Sequence, residues 1–107
     1  MGSNPTSPTI SIFDFLGMKK RAHVFYSGRV QGIGFRFTTA DIARDAGITG
    51  WAKNLPDGRV EVMAEAEKSS LEDFLDKVNK YFSRYIRDAE ADWGEATGEF
   101  KDFGIRF

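Results

Sequence analysis

The chain has 107 residues, 41% apolar and 14% aromatic with ten Phe, a composition that suits one compact domain with an aromatic-heavy core. Fifteen basic against sixteen acidic residues leave a net charge of −1, so the overall basic excess of many nucleic-acid binders is missing. The lack of cysteine excludes a disulfide framework and a thiolate nucleophile, the single His excludes a multi-histidine metal site, and no apolar run approaches the roughly 20 residues of a membrane span.

Residues 1–17 open with a polar Pro/Ser/Thr segment and close on an apolar patch at Ile10, Ile12, Phe13, Phe15 and Leu16, ahead of a second methionine. Without a charged start or a small-residue cleavage site this is a poor secretion signal. It reads as a flexible leader or expression remnant preceding a domain at 18–107. Ala22-His23-Val24-Phe25-Tyr26-Ser27 is rich in β-formers and stops at Gly28, which predicts a first strand with His23 on the face opposite Ala22, Val24 and Tyr26. A lone His so placed reads as a surface residue rather than a catalytic one.

The next stretch is Gly28-Arg29-Val30-Gln31-Gly32-Ile33-Gly34-Phe35-Arg36, with three glycines in seven residues leading straight into a helix. Glycine accepts positive φ and close approach, so the run predicts a tight concave loop whose amide N–H groups face inward and suit an anion. A helix beginning near Phe35 adds unpaired N–H donors and a partial positive charge, and Arg36 brings a guanidinium able to grip two phosphate oxygens. A plain tight turn beside a solvated Arg is the competing reading. Two nucleotide motifs are excluded: there is no Lys followed by Ser or Thr after the last Gly, and no third Gly two residues beyond Gly34.

Phe35, Thr39, Ile42, Ala43 and Ala46 then form the stripe of an amphipathic helix over about 36–46, with Gly47 where a left-handed cap belongs. Residues 48–54 predict a second strand, and Leu55-Pro56-Asp57-Gly58 supplies a turn before Val60, Val62, Ala64 and Ala66 alternate in a half-exposed third strand. Ser69-Ser70-Leu71-Glu72 has capping-box spacing, and Leu71, Phe74, Leu75, Val78, Phe82 and Tyr85 carry a second helical stripe to about Tyr85. Ala89, Ala91 and Trp93 predict a fourth strand; Phe103, Ile105 and Phe107 a short closing one.

The order β-α-β-β-α-β predicts an α+β, ferredoxin-like sandwich: an antiparallel sheet with two helices on one face and a short C-terminal strand. In that topology the third strand lies between the first two, whose ends share one edge, so the glycine loop and Asn54 face the same space. Asn54 has two readings. It can serve the turn that follows, or its carboxamide can accept from a water while donating to an oxyanion, orienting a nucleophile without titrating. The alternating acids Glu61, Glu65 and Glu67, and Glu90 with Asp92, read as solvated sheet faces rather than a metal cage.

The glycine loop and Gly50-Trp51-Ala52-Lys53-Asn54-Leu55-Pro56-Asp57-Gly58-Arg59-Val60 together resemble the two signatures of the acylphosphatases, and the similarity runs from about Arg21 to Phe107. The resemblance implies a ferredoxin-like enzyme that hydrolyses the carboxyl–phosphate bond of small acyl phosphates without metal or cofactor. It implies that Arg36 binds the substrate phosphate with the amides of Gly28, Arg29, Val30, Gln31, Gly32, Ile33, Gly34 and Phe35, and that Asn54 positions the attacking water. A cytoplasmic monomer with no nucleic-acid or membrane partner is expected. Departures are Ala66 where the second signature ends in Gly, Phe107 where Tyr is common, and the leader. The alternatives are a noncatalytic small-anion-binding or regulatory module of the same fold, and a domain of a larger carbamoyl-transfer protein.

Overall fold

The computed structural model describes residues 18–107, so the expected leader at 1–17 lies outside the described residues. Seven elements follow in order: β1 (Lys19–Gly28), α1 (Phe35–Asp45), β2 (Thr49–Asn54), β3 (Val60–Glu67), α2 (Lys68–Tyr81), β4 (Ile86–Glu95) and β5 (Phe103–Arg106). The strands form one sheet in the order β4-β1-β3-β2-β5. Strand alternation sorts the faces: Ala22, Val24 and Tyr26 of β1, Ala52 of β2, and Val60, Val62, Ala64 and Ala66 of β3 all point into one core. Both helices cover that face, α1 through Phe35, Ala40 and Ala43, α2 through Leu71, Phe74 and Val78. The aromatic content is spent there. Phe35 stacks on Phe82 with centroids 4.3 Å apart and meets Tyr26 at 5.0 Å, while Phe74 meets Phe103 edge-on at 6.1 Å. Each such buried ring contributes on the order of 2–3 kcal/mol of transfer free energy.

Several expectations need correction. The sheet is mixed, because β5 pairs parallel with β2 while the other three pairings are antiparallel. The capping box is not formed: α2 follows β3 directly from an extended Glu67 with no side-chain cap, and Ser69 sits inside its first turn. With no loop between strand and helix, burial of Leu71 and Phe74 sets where the helix begins. It also ends at Tyr81, with Phe82 as the cap residue and Tyr85 beyond it. β3 is more enclosed than an alternating half-exposed strand, since Met63 and Glu65 are buried on its second face. In β4, Ala89, Ala91 and Trp93 do share the helix side of the sheet, opposite Tyr26, Val24 and Ala22, but this edge strand lies outside the helical cover and they are exposed. Phe107 falls beyond β5.

The register sets the site. Tyr26 and Asn54 both pair with Val60, so β1 and β2 run parallel on either side of β3 and end on the same edge of the sheet. Ala66, opposite Lys20, lies at the other edge.

Candidate active site

The loop at 28–36 is held by four of its residues. Gly28, at φ 126°, lies so close to the next segment that a Cβ would sit 2.3 Å from the Tyr85 carbonyl oxygen. The Arg29 N–H donates to that oxygen at 2.9 Å. Val30 is fully buried, and the Gln31 side-chain amide donates to the carbonyls of Leu55 (2.8 Å) and Arg59 (2.9 Å) in the β2–β3 turn. Gly32 and Gly34 serve differently. Each has φ near +78° (79° and 77°) with open space where a Cβ would stand, so their requirement is conformational and not steric.

Phe35, locked against Tyr26 and Phe82, fixes where α1 begins. The first backbone bond of the helix runs from the Thr38 N–H to the Gly34 carbonyl at 3.0 Å, and the amides from Val30 to Phe37 find no backbone acceptor among the described residues. The helix has no side-chain cap and no acid in its first turn, so the partial positive charge there is uncompensated. Arg36 adds a full charge. One Nη1 proton goes to the Arg106 carbonyl (3.2 Å) and the Phe107 ring lies 4.8 Å from the guanidinium carbon, leaving the remaining N–H donors for a guest.

Asn54 ends β2 beside this loop. The turn that follows is closed by the Leu55 N–H on the Arg59 carbonyl (2.8 Å), the Gly58 N–H on the Leu55 carbonyl (3.1 Å) and the Arg59 N–H on Asp57 Oδ1 (3.1 Å). The last bond, and the Arg59 guanidinium after it, hold the exposed Asp57 carboxyl below its ordinary value. The Asn54 carboxamide takes no part in any of these bonds. It lines a cavity of about 230 Å³ with Val30, Gly32, Gly34, Phe35, Arg36 and Phe37.

Of the predicted residues, Val30, Gly32, Gly34, Phe35, Arg36 and Asn54 are brought together around that cavity. Gly28, Arg29, Gln31 and Ile33 do not line it: the first three tie the loop to its neighbours and Ile33 packs against the core. Sequence reasoning missed Phe37 and the hold of Arg106 and Phe107 on Arg36. No periodicity links 36 to 106, so the second had no local signal. His23 bonds Glu61 at 2.6 Å on the open face of the sheet and does not line the cavity. The Tyr26 hydroxyl is also no base, since burial pushes its pKa up and it stays protonated. A depression at the other edge, lined by Lys20, Lys68, Trp93, Gly94 and Glu95, has its Lys20 already paired with Glu95 at 2.8 Å.

A family model described as Acylphosphatase matches residues 22–105. The chain belongs to the acylphosphatase family. It is 41% identical over 86 residues to the acylphosphatase of Roseiflexus sp., a match covering 79% of this chain and 92% of that one. It is 56% identical over 55 residues to the acylphosphatase of Nostoc sp., a match that spans about half of each, 51% of this chain and 54% of the other. The crystal structure of acylphosphatase from Bacillus subtilis superposes with a TM-score of 0.77 at 31% identity, covering 82% of this chain and 99% of that one. The shared ferredoxin-like fold agrees with the one sheet and two helices described above.

Proposed function

We propose that this protein hydrolyses small acyl phosphates to a carboxylate and phosphate, with no metal, using the 30–36 loop amides and Arg36 to bind the phosphoryl group and Asn54 to orient water. The observation that carries the reading is the carboxamide of Asn54, left out of its own turn and lining the same cavity as Arg36. The loop donors and the guanidinium answer the negative charge, up to two units, of a phosphoryl group, and act on its equatorial oxygens in the transition state. The Asn54 carbonyl oxygen accepts a hydrogen bond from a water and aims the water oxygen at phosphorus. Water adds, the bond from phosphorus to the carboxylate oxygen breaks, and the electron pair leaves on the carboxylate. Both water hydrogens remain on the phosphate, which departs as H2PO4−, so no protein acid or base is consumed.

Metal independence is supported by the lining itself, which offers one cation and backbone amides but no carboxylate, imidazole or thiolate to ligate an ion. No helix among the described residues is long and apolar enough to cross a membrane. With a cysteine-free composition, we read the protein as cytoplasmic, acting on a diffusible substrate. The test is hydrolysis of benzoyl phosphate, followed in the ultraviolet with a chelator present, beside an ordinary phosphomonoester. Turnover of the acyl phosphate alone is expected. Turnover of only the monoester, or phosphate binding without turnover of either, would contradict the proposal.

A further inference from the structure

Phe37 stands two helix positions beyond the inward-facing Phe35, about 200° around the axis, so its ring leaves the core. It is 59% exposed while lining the cavity that holds Arg36 and Asn54. One exposed Phe on a protein surface is ordinary and carries no meaning by itself. Its place on this cavity gives it one. The other apolar side chains of the lining, Val30 and Phe35, are committed to the core at 0% and 2% exposure. Phe37 is therefore the apolar side chain of the lining that still faces solvent.

We propose that Phe37 forms the subsite for the organic group of the substrate, favouring aryl and other apolar acyl phosphates over short or polar ones. The inference rests on the acyl phosphate reading above and deepens it. In an acyl phosphate the carbonyl carbon is two bonds from phosphorus, so with the phosphoryl group seated on the loop the organic group must leave through the mouth of the cavity. Phe37 is at that mouth. No lining side chain other than Arg36 carries a charge, and Arg36 is directed to the phosphoryl group, so nothing there would recognise an ionised or strongly polar tail. A flat apolar group laid on the ring would remove apolar surface of both from water and gain the ring-to-ring contact energy.

The experiment compares kcat/KM for benzoyl phosphate and acetyl phosphate in the wild-type protein, Phe37→Ala and Phe37→Leu. The benzoyl-to-acetyl ratio should fall about tenfold in Phe37→Ala and by less in Phe37→Leu. An unchanged ratio, or equal losses on both substrates, would overturn the subsite while leaving the hydrolase reading intact. Failure of the wild-type protein to turn over either substrate would instead sink that reading. Inhibition of the wild-type protein needs no variant: phenylphosphonate should bind several-fold more tightly than methylphosphonate, and equal inhibition would count against Phe37.

Discussion

The two ends of the sheet each gather backbone N–H groups onto one point, and they differ in what meets those groups. At the far end, the Glu65 carboxylate accepts from the Thr97 N–H (2.9 Å), the Thr97 hydroxyl (3.0 Å), the Gly98 N–H (3.0 Å) and Arg21 Nε (2.9 Å). Burial pushes the Glu65 pKa up, yet these four donors together outweigh it and hold the carboxyl below its ordinary value. At the near end the amides of the 30–36 loop meet no such acceptor among the described residues, and no acid lies in the first turn of α1. One cluster of donors closes on the protein's own anion and stabilises the fold. The other has no acceptor of the protein's own among the described residues, and in the function proposed above it receives the substrate's phosphoryl group.

Breaking the open end should damage chemistry far more than folding. Arg36→Ala should cost on the order of 100- to 1000-fold or more in kcat/KM for benzoyl phosphate and weaken inhibition by inorganic phosphate. Near-normal rates would remove Arg36 from its role. Asn54→Ala should lower kcat by about 100-fold or more with KM little changed, because its proposed role is on the water and not on the phosphoryl group. A rise in KM at constant kcat would assign Asn54 to substrate binding instead.

The closed end should give the opposite result. Glu65→Gln keeps one acceptor oxygen but turns an NH2 toward existing donors, and should cost about 2 kcal/mol of stability by urea unfolding while moving kcat/KM less than twofold. The pH dependence sharpens the contrast. A carboxylate whose folded pKa is lowered gives its full stabilisation above the unfolded value of about 4.3 and loses it as pH falls through the lower folded value. The stability gap between the wild-type protein and Glu65→Gln should therefore hold steady from neutrality to about pH 5 and narrow below about pH 4. A gap that widened in acid would reverse the sign assigned to Glu65.

Much of this layout was legible in the sequence, and the parts that were not share a cause. Alternation in Ala22, Val24 and Tyr26 and the stripe through Leu71, Phe74 and Val78 are local signals of burial, and the elements they predicted formed. The near end was legible because Gly32 and Gly34 advertise positive φ and Arg36 stands two residues after the second of them. Glu65 was not: as one of three alternating acids on a strand it read as solvated, and only the return of the chain at Thr97 and Gly98 buries it. The same holds for the parallel pairing of β5, the reach of Arg106 and Phe107 to Arg36, and the Gln31 clamp on Leu55 and Arg59. Contacts between residues distant in sequence leave no period to read. Asn54 lay between these cases, its position predicted by topology and its freedom from the turn visible only once the turn's own bonds were in place.

The clamp supplies the smallest test of the contrast. Gln31→Ala should cost about 1 kcal/mol per lost bond at most, and loosening the loop should lower kcat/KM several-fold without abolishing it. Loss of stability with activity unchanged would show that the loop does not depend on this tie.

The open and closed ends can be compared most directly by titrating inorganic phosphate into 15N-labelled protein and following every backbone amide by NMR. The account predicts saturable shifts concentrated at residues 30–36 and at Asn54, with Thr97 and Gly98 unmoved behind their own carboxylate. Shifts centred elsewhere, or none at the 30–36 amides, would contradict it.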